Sequence, residues 1–371
     1  MEITQRFKIQ ILILTVILCG GLGMVTPTFA ITVTHSYIVD SNGGGLMQLG
    51  SLGGTDTQAS GINATGQIAG FSTTAAGDTH AFITDLNGVG MTDLGTLGGR
   101  NSFAYGINVA GQVAGMSQTA DGNYHAFITG PNGEGMTNIG NGSAAGINAS
   151  GQATGNSDIP FITGPNGVGM TDIGTLNGPG PTYPTGLNDD GRVTGSYFYT
   201  TETDYHAFIT GPNGTNMVDL GALGSGKHSF ANGINAAGQV TGASETAAGG
   251  NYHAFITGPN GVGMTDLGTL GGGQSIGTGI NDAGQVVGES GTVAGVDHVF
   301  ITGLNGVGMT DLNSLVSLPG GAALTEARGI NNHGQIIIIG VAGLVPEPET
   351  YALLLAGLGL IGVMACRRKS D

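Results

Sequence analysis

The sequence predicts an all-β chain folded as a seven-bladed β-propeller, and three observations carry that expectation. A unit written Gly-Ile-Asn-x-x-Gly-Gln recurs seven times, beginning at Gly61, Gly106, Gly146, Gly186 (with Leu187 for Ile), Gly233, Gly279 and Gly329. Successive units lie 40 to 50 residues apart, room for four short strands and so for one propeller blade. The array begins and ends on complementary half-repeats. Its first and last strands can therefore pair and close a ring, removing the exposed edges that invite aggregation. An open β-solenoid of the same repeats is the alternative, but its coils usually need fewer residues and have no use for complementary halves.

Each period reads as four strands in order. The first ends in Gly-Ile-Asn. A turn such as Asn281-Asp282-Ala283-Gly284 follows, with Asn opening it and Gly free to take positive φ. The second strand is the Gln285–Gly288 type of run. A variable loop leads to the third, His-Ala-Phe-Ile-Thr, whose aromatic position is Tyr37, Phe82, Phe127, Phe161, Phe208, Phe255 and Phe300 in turn. A Pro-Asn-Gly turn then leads to the fourth, Met-Thr-Asp-Leu-Gly. Runs of β-branched and aromatic residues bounded by Gly and Asn suit strands rather than helices. The chain enters the array at third and fourth strands, around Tyr37 and Met47. It leaves at first and second strands, around Ile330 and Ile336 to Ile339, so six whole blades and one composite blade make seven.

The motif at His80-Ala81-Phe82, His125-Ala126-Phe127, His206-Ala207-Phe208 and His253-Ala254-Phe255 resembles the HAF family of extracellular repeats. The resemblance spans roughly residues 31–342 and departs at Ser36-Tyr37, Ile159-Pro160-Phe161 and His298-Val299-Phe300; the third repeat has also lost most of its second loop. It implies an extracellular repeat protein and transfers no established chemistry to any residue.

Composition agrees with tight turns rather than collagen or disorder. Of 371 residues 74 are Gly without a Gly-X-Y period, none is Trp, and 39% are apolar, enough for a core. Between Ile31 and Val345 only Arg100, Arg192, Lys227 and Arg328 are basic against 21 acidic residues, a net −17. A body so acidic is repelled by phosphate backbones, which excludes nucleic acid as a partner. Both cysteines, Cys19 and Cys366, fall in the apolar ends, so no disulfide staples the body.

The two ends carry targeting information. Arg6 and Lys8, then the apolar run Ile11 to Val25, then Thr26-Pro27-Thr28-Phe29-Ala30 read as a secretory signal over residues 1–30, cleaved after Ala30 by signal peptidase. The repeat body occupies residues 31–343 and a sorting segment residues 344–371. In that segment Pro346-Glu347-Pro348 precedes an apolar stretch over 351–366, and the basic cluster Arg367, Arg368 and Lys369 follows it. As a helix the stretch spans about 24 Å, a marginal transmembrane anchor with its basic end in the cytoplasm. The three parts in this order resemble the PEP-CTERM sorting signal of Gram-negative bacteria. That resemblance implies processing by an exosortase, a transient inner-membrane intermediate, and release or attachment outside the cell, commonly where exopolysaccharide is made.

Chemistry-bearing residues are sparse. There is no Gly-x-Ser-x-Gly, no His-Glu-x-x-His and no phosphate loop, so the chain is not read as an enzyme. The recurring His80, His125, His206, His253 and His298, and the recurring Asp93, Asp172, Asp219, Asp266 and Asp311, are read as serving their blades through hydrogen bonds. No metal site is assigned and no cofactor is required. Calcium is the one ion the Asn188-Asp189-Asp190-Gly191 and Asn281-Asp282-Ala283-Gly284 loops could attract, through hard oxygen ligands, yet hairpin chemistry explains both. Where repeats differ, a ligand could bind. The candidate ligand loop comprises Tyr183 (in the stretch Pro179 to Tyr183), Tyr197, Phe198 and Tyr199, aromatic faces that suit sugar rings. Its two stretches sit at different strand junctions, which admits opposite faces of the ring. The expected function is that of an exported cell-surface or matrix repeat protein, structural or interacting. An exopolysaccharide-binding propeller and a polysaccharide-active enzyme are the alternatives.

Overall fold

The computed structural model describes residues 32–176, 180–198, 204–247 and 250–343. Over these the chain builds seven four-stranded antiparallel sheets, which are the blades of a propeller. Blade 2 shows the plan, with Gly53–Ile62 innermost, then Ile68–Thr74, Thr79–Ile83 and Thr92–Asp93 at the rim. Blade 1 is the composite one. Its first two strands are Ala323–Ile330 and Gln335–Gly343, its last two Thr32–Asp40 and Met47–Gln48. The seam is a ladder of nine residue pairs, from Thr32 opposite Gly343 to Asp40 opposite Gln335.

Middle strands are covered on both sides by neighbouring blades, which is why they read as unbroken apolar runs rather than alternating ones. The recurring Phe is the largest side chain that fills the same place in successive blades. Phe82, Phe127, Phe161, Phe208, Phe255 and Phe300 are all fully buried, and Tyr37 takes their place in blade 1. Each such ring is worth about 2–3 kcal/mol of burial. Phe127 of blade 3 packs with Ala69, Ala81 and Ile83 of blade 2, so the core lies between blades as much as within them. The second strand must pass close to a bulge in the first. At Gly115 a Cβ would sit 2.0 Å from the Phe103 carbonyl oxygen, so glycine is needed there.

The Gly-Ile-Asn-x-x-Gly-Gln unit does more than make a turn. Asn63 Oδ1 accepts the Thr65 and Gln67 N–H groups at 3.1 and 2.9 Å. Its Nδ2 donates to the Asn108 carbonyl of the next blade at 2.9 Å. Asn108 does the same to Asn148, Asn148 to Asn188, Asn188 to Asn235, Asn235 to Asn281, and Asn281 to Asn331, at 2.9 to 3.3 Å. Asn331 donates to the Asn63 carbonyl at 3.1 Å, and the circle closes. A second tie joins blades further out. The backbone N–H groups of Ala81, Ala207 and Ala254 each donate at 2.8 Å to a serine of the following blade, Ser102, Ser229 or Ser275.

Two details depart from the sequence expectation. Most fourth strands are shorter than Met-Thr-Asp-Leu-Gly, only Thr92–Asp93 in blade 2 and three residues in blades 4, 6 and 7, whereas Met136–Asn141 of blade 3 is longer. In blade 2 the Asp side chain accepts the N–H two residues on (Gly95 to Asp93 at 2.7 Å); Asn138 and Asp219 accept the same bond, but their strands resume after a bulge. Second strands outrun Gln285–Gly288, reaching Val286–Thr292 in blade 7. Among the described residues no helix is long and apolar enough to cross a membrane; the stretch over 351–366 lies outside them.

A candidate binding surface on the loop face

The ring has two unlike faces. The Asn-x-x-Gly and Pro-Asn-Gly turns share one, the turn face. They dock on each other there, Gly133 donating to the Gly111 carbonyl at 2.9 Å in blade 3. The connections between second and third strands, and from each fourth strand to the next blade, share the other, the loop face. Thr32 and Gly343, the outer ends of the seam, also lie on the loop face.

On the turn face the axis opens into a hollow of about 200 Å³ whose lining includes Ile234, Asn235, Ile280, Asp282, Ile330 and Asn332. The two loops considered for calcium sit here, and several of their oxygens accept hydrogen bonds. Asp189 accepts the Ala149 N–H at 2.8 Å. Asp282 accepts the Ala236 N–H at 2.9 Å and the Asn332 amide at 2.6 Å. Asn281 accepts from Ala283 and Gln285 at 3.1 and 3.0 Å. Among the described residues no three His, Cys, Asp or Glu are grouped so as to hold a metal ion.

At the rim the two recurring polar residues meet each other. His80 Nδ1 lies 2.8 Å from Asp93, His206 and His253 each 2.9 Å from Asp219 and Asp266, and His298 2.8 Å from Asp311. In blade 3, His125 faces Asn138 instead. Blade 4 has Asp172 but Ile159 at the histidine position, and Asp172 only accepts the Gly174 N–H at 2.7 Å. Burial pushes the Asp219 carboxyl up, but the hydrogen bonds from His206 and the Gly221 N–H outweigh it and hold its pKa below the ordinary value.

The loop face carries the aromatic groups. Phe198 and Tyr205 of blade 5 have ring centroids 4.1 Å apart. Tyr205 lies 5.4 Å from Phe230 of blade 6, and Phe230 lies 6.0 Å from Tyr252. All four are half-buried, and Tyr183 beside them is 44% exposed. Burial, followed by the nearby Tyr183, pushes the Tyr205 phenol up; burial, followed by Glu245, does the same to Tyr252. Both hydroxyls therefore stay protonated and can donate as well as accept. A second tract lies on blades 2 and 3. Phe71 meets Phe103 edge to face at 5.1 Å, and Phe103 lies 6.3 Å from Tyr124. Asp56, Gln58, Thr73 and Thr79 complete a hollow of about 190 Å³ there.

Against the candidate ligand loop, the structure changes two assignments. The two stretches lie on the same face, not opposite ones: Thr182 pairs with Tyr197, and the Phe198 N–H donates to the Pro181 carbonyl at 3.2 Å. They approach so closely that a Cβ on Gly180 would sit 2.6 Å from the Phe198 Cβ. Tyr197 is wholly buried and packs with Ile162, Leu187 and Phe208, so it offers no face to a ligand. The reason is register, since Tyr197 occupies the rung that holds buried Ser72, Ser117, Ser244 and Ser290 in other blades. Tyr183 and Phe198 keep their places on the surface. Tyr199, Pro179, Ala30, Pro346, Glu347, Pro348, Arg367, Arg368 and Lys369 lie outside the described residues. Sequence reading missed Phe71, Phe103, Tyr124, Tyr205, Phe230 and Tyr252. Its available signal was the repeated pairing of Ser-Phe with Tyr-His in the same period, at Ser102-Phe103 with Tyr124-His125 and Ser229-Phe230 with Tyr252-His253.

Residues 344–369 match the PEP-CTERM protein-sorting motif, which marks the chain as an exported, exosortase-sorted protein. No curated protein is similar to it in sequence. Several solved structures are similar in shape. A putative TolB from Agrobacterium tumefaciens has 11% identity and a TM-score of 0.47, over 84% of this chain and 99% of that one. TolB from Acinetobacter baumannii has 10% identity and a TM-score of 0.42, over 74% of this chain and 62% of that one. A chain of a nidogen/laminin complex has 13% identity and a TM-score of 0.37, over 75% and 92%. With every TM-score below 0.5, the propeller assignment rests on the seven sheets themselves.

Proposed function

We propose that the mature protein is a cell-surface or extracellular-matrix interaction protein that binds exopolysaccharide on its loop face. The observation that carries this reading is the run Phe198, Tyr205, Phe230 and Tyr252, four partly exposed rings in contact across two blades. Aromatic faces cover the apolar faces of sugar rings, and phenol hydroxyls beside them hydrogen-bond the sugar hydroxyls. An acidic body disfavours anionic polymers, so the glycan is a neutral one. The export motif supports the reading, because a polymer of this kind lies outside the cell.

The test is retention of the purified chain on exopolysaccharide from the producing strain, with Tyr205→Leu and Phe230→Leu as variants. Saturable retention that each variant weakens about tenfold, with no sugar released, supports binding. Equal retention of wild type and both variants removes the tract from the reading. Release of sugar makes the chain an enzyme instead.

A further inference from the structure

Two aromatic tracts, not one, occupy the loop face, and the blade between them is cut down. The rung positions of Phe103 and Tyr124 in blade 3 are those of Tyr183 and Tyr205 in blade 5 and of Phe230 and Tyr252 in blade 6. Blade 4 holds Ser143 at the first of these positions. Its second and third strands, Ala153–Asn156 and Pro160–Thr163, stop at the pair Asn156 with Pro160. Blade 3 reaches the same rung at Met116 with Ala126 and goes on through Ser117 with His125 to Gln118 with Tyr124. Blade 5 likewise continues through Tyr197 with His206 to Phe198 with Tyr205. Two missing rungs, at about 3.3 Å per residue, lower the tip of blade 4 by about 7 Å. Its tip carries the exposed neighbours Asp158 and Ile159, the latter 38% exposed, between Tyr124 at 39% and Tyr183 at 44%.

We infer that the tracts of blades 2–3 and 5–6 are two subsites of one track, joined by the saddle of blade 4, and that the track takes a single neutral polysaccharide chain lying along the arc. This rests on the glycan-binding reading above and adds what that reading lacks, a second subsite and a preference for long polymers. The blade 2–3 subsite is chemically fit for a sugar unit. Phe71 and Phe103 supply ring faces, the Gln58 amide and the Thr73 and Thr79 hydroxyls supply donors and acceptors, and the hollow they line is about 190 Å³. Two weak subsites on one rigid body bind a ligand long enough to reach both far more tightly than either binds alone.

The experiment is titration calorimetry with the strain's exopolysaccharide hydrolysed and sized into fragments of about four and about twenty sugars, the second long enough to bridge both tracts. The wild type takes two short fragments per chain but one long fragment, and the long one binds at least about tenfold more tightly. Phe103→Leu, which keeps an apolar side chain in place, takes one short fragment with unchanged affinity, and long fragments fall to the affinity of short ones. A second variant replaces residues 157–159 by the longer tip of blade 3, residues 117–125. It keeps both short sites and loses the advantage of length. The track is overturned if the wild type takes one short fragment, if length brings no gain, or if Phe103→Leu leaves that gain intact. Failure of any fragment to bind overturns the glycan reading itself.

Discussion

The turn face and the loop face of the ring are made by the same repeats, yet they differ in how strictly they repeat. On the turn face Asn63, Asn108, Asn148, Asn188, Asn235, Asn281 and Asn331 all do one job, and each donates to the next blade. On the loop face the corresponding rungs hold Gln58, Phe103, Ser143, Tyr183, Phe230, Ile276 and Glu326, no two neighbours alike. A residue whose partner is its own copy in the next blade cannot change alone without leaving a buried group unpaired. A residue that faces solvent can. Uniformity therefore marks what builds the ring, and variation marks what the ring can be used for.

The largest effect expected from breaking this contrast is on the uniform side. Asn108→Ala removes a buried side chain that donates to Asn148 and Gln112 and accepts from Ala110 and Gln112, all within 3.1 Å. Urea unfolding shows a loss of about 3 kcal/mol, whereas Phe230→Leu on the loop face costs under about 1 kcal/mol. Equal losses would erase the distinction between the faces.

A smaller effect sharpens the contrast from the variable side. Burial pushes the Glu289 carboxyl up to about 7, with the neighbouring Glu326 and Asp297 adding to it and Arg328 opposing. Arg328 itself pairs with Glu326. Unfolded, Glu289 ionises near its ordinary 4.5, so the native state holds the proton more tightly and loses stability as pH rises from there to about 7. Glu289→Gln stabilises the chain at pH 8 by about 2 kcal/mol, the roughly 3 kcal/mol carried by a shift from 4.5 to about 7 less the solvent screening of a half-buried group, and leaves it unchanged at pH 4. The same shift at both pH values would mean that the ionised carboxylate is not strained there.

The smallest effect belongs to the rim. His253→Ala breaks an exposed pair with Asp266 and lowers stability by less than about 1 kcal/mol. A loss as large as that of Asn108→Ala would show that the rim, not the axis, holds the blades.

Much of this architecture was legible in the sequence, because a period of Gly, Ile and Asn at fixed spacing records the turn chemistry directly. The composite blade was legible for the same reason, from half-repeats at Tyr37 and Met47 and at Ile330 and Ile336. What the Asn side chains do across blades was not, since Asn63 and Asn108 are 45 residues apart and touch only once the ring forms. The meeting of His80 with Asp93 likewise depends on strand register, which the motif spacing alone does not state. Tyr197 was misread for want of one alignment step: placed against Ser72 and Ser117 it falls on a buried rung, while Phe198 one residue on falls outside. The aromatic tracts were hidden because the members of each come from three or four strands of two blades, so no stretch of sequence contains them.

The seam of blade 1 has a mechanical side. The second strand, Gln335–Gly343, runs between Thr32–Asp40 and Ala323–Ile330 and is laddered to both. A pull on the chain beyond Gly343 therefore enters along the axis of a strand gripped from both flanks. It must slide two ladders at once, rather than unzip a single ladder bond by bond. A ring fastened through this strand bears tension in its stiffest direction, and the joint that closes the propeller is also the one on which any tether would hang.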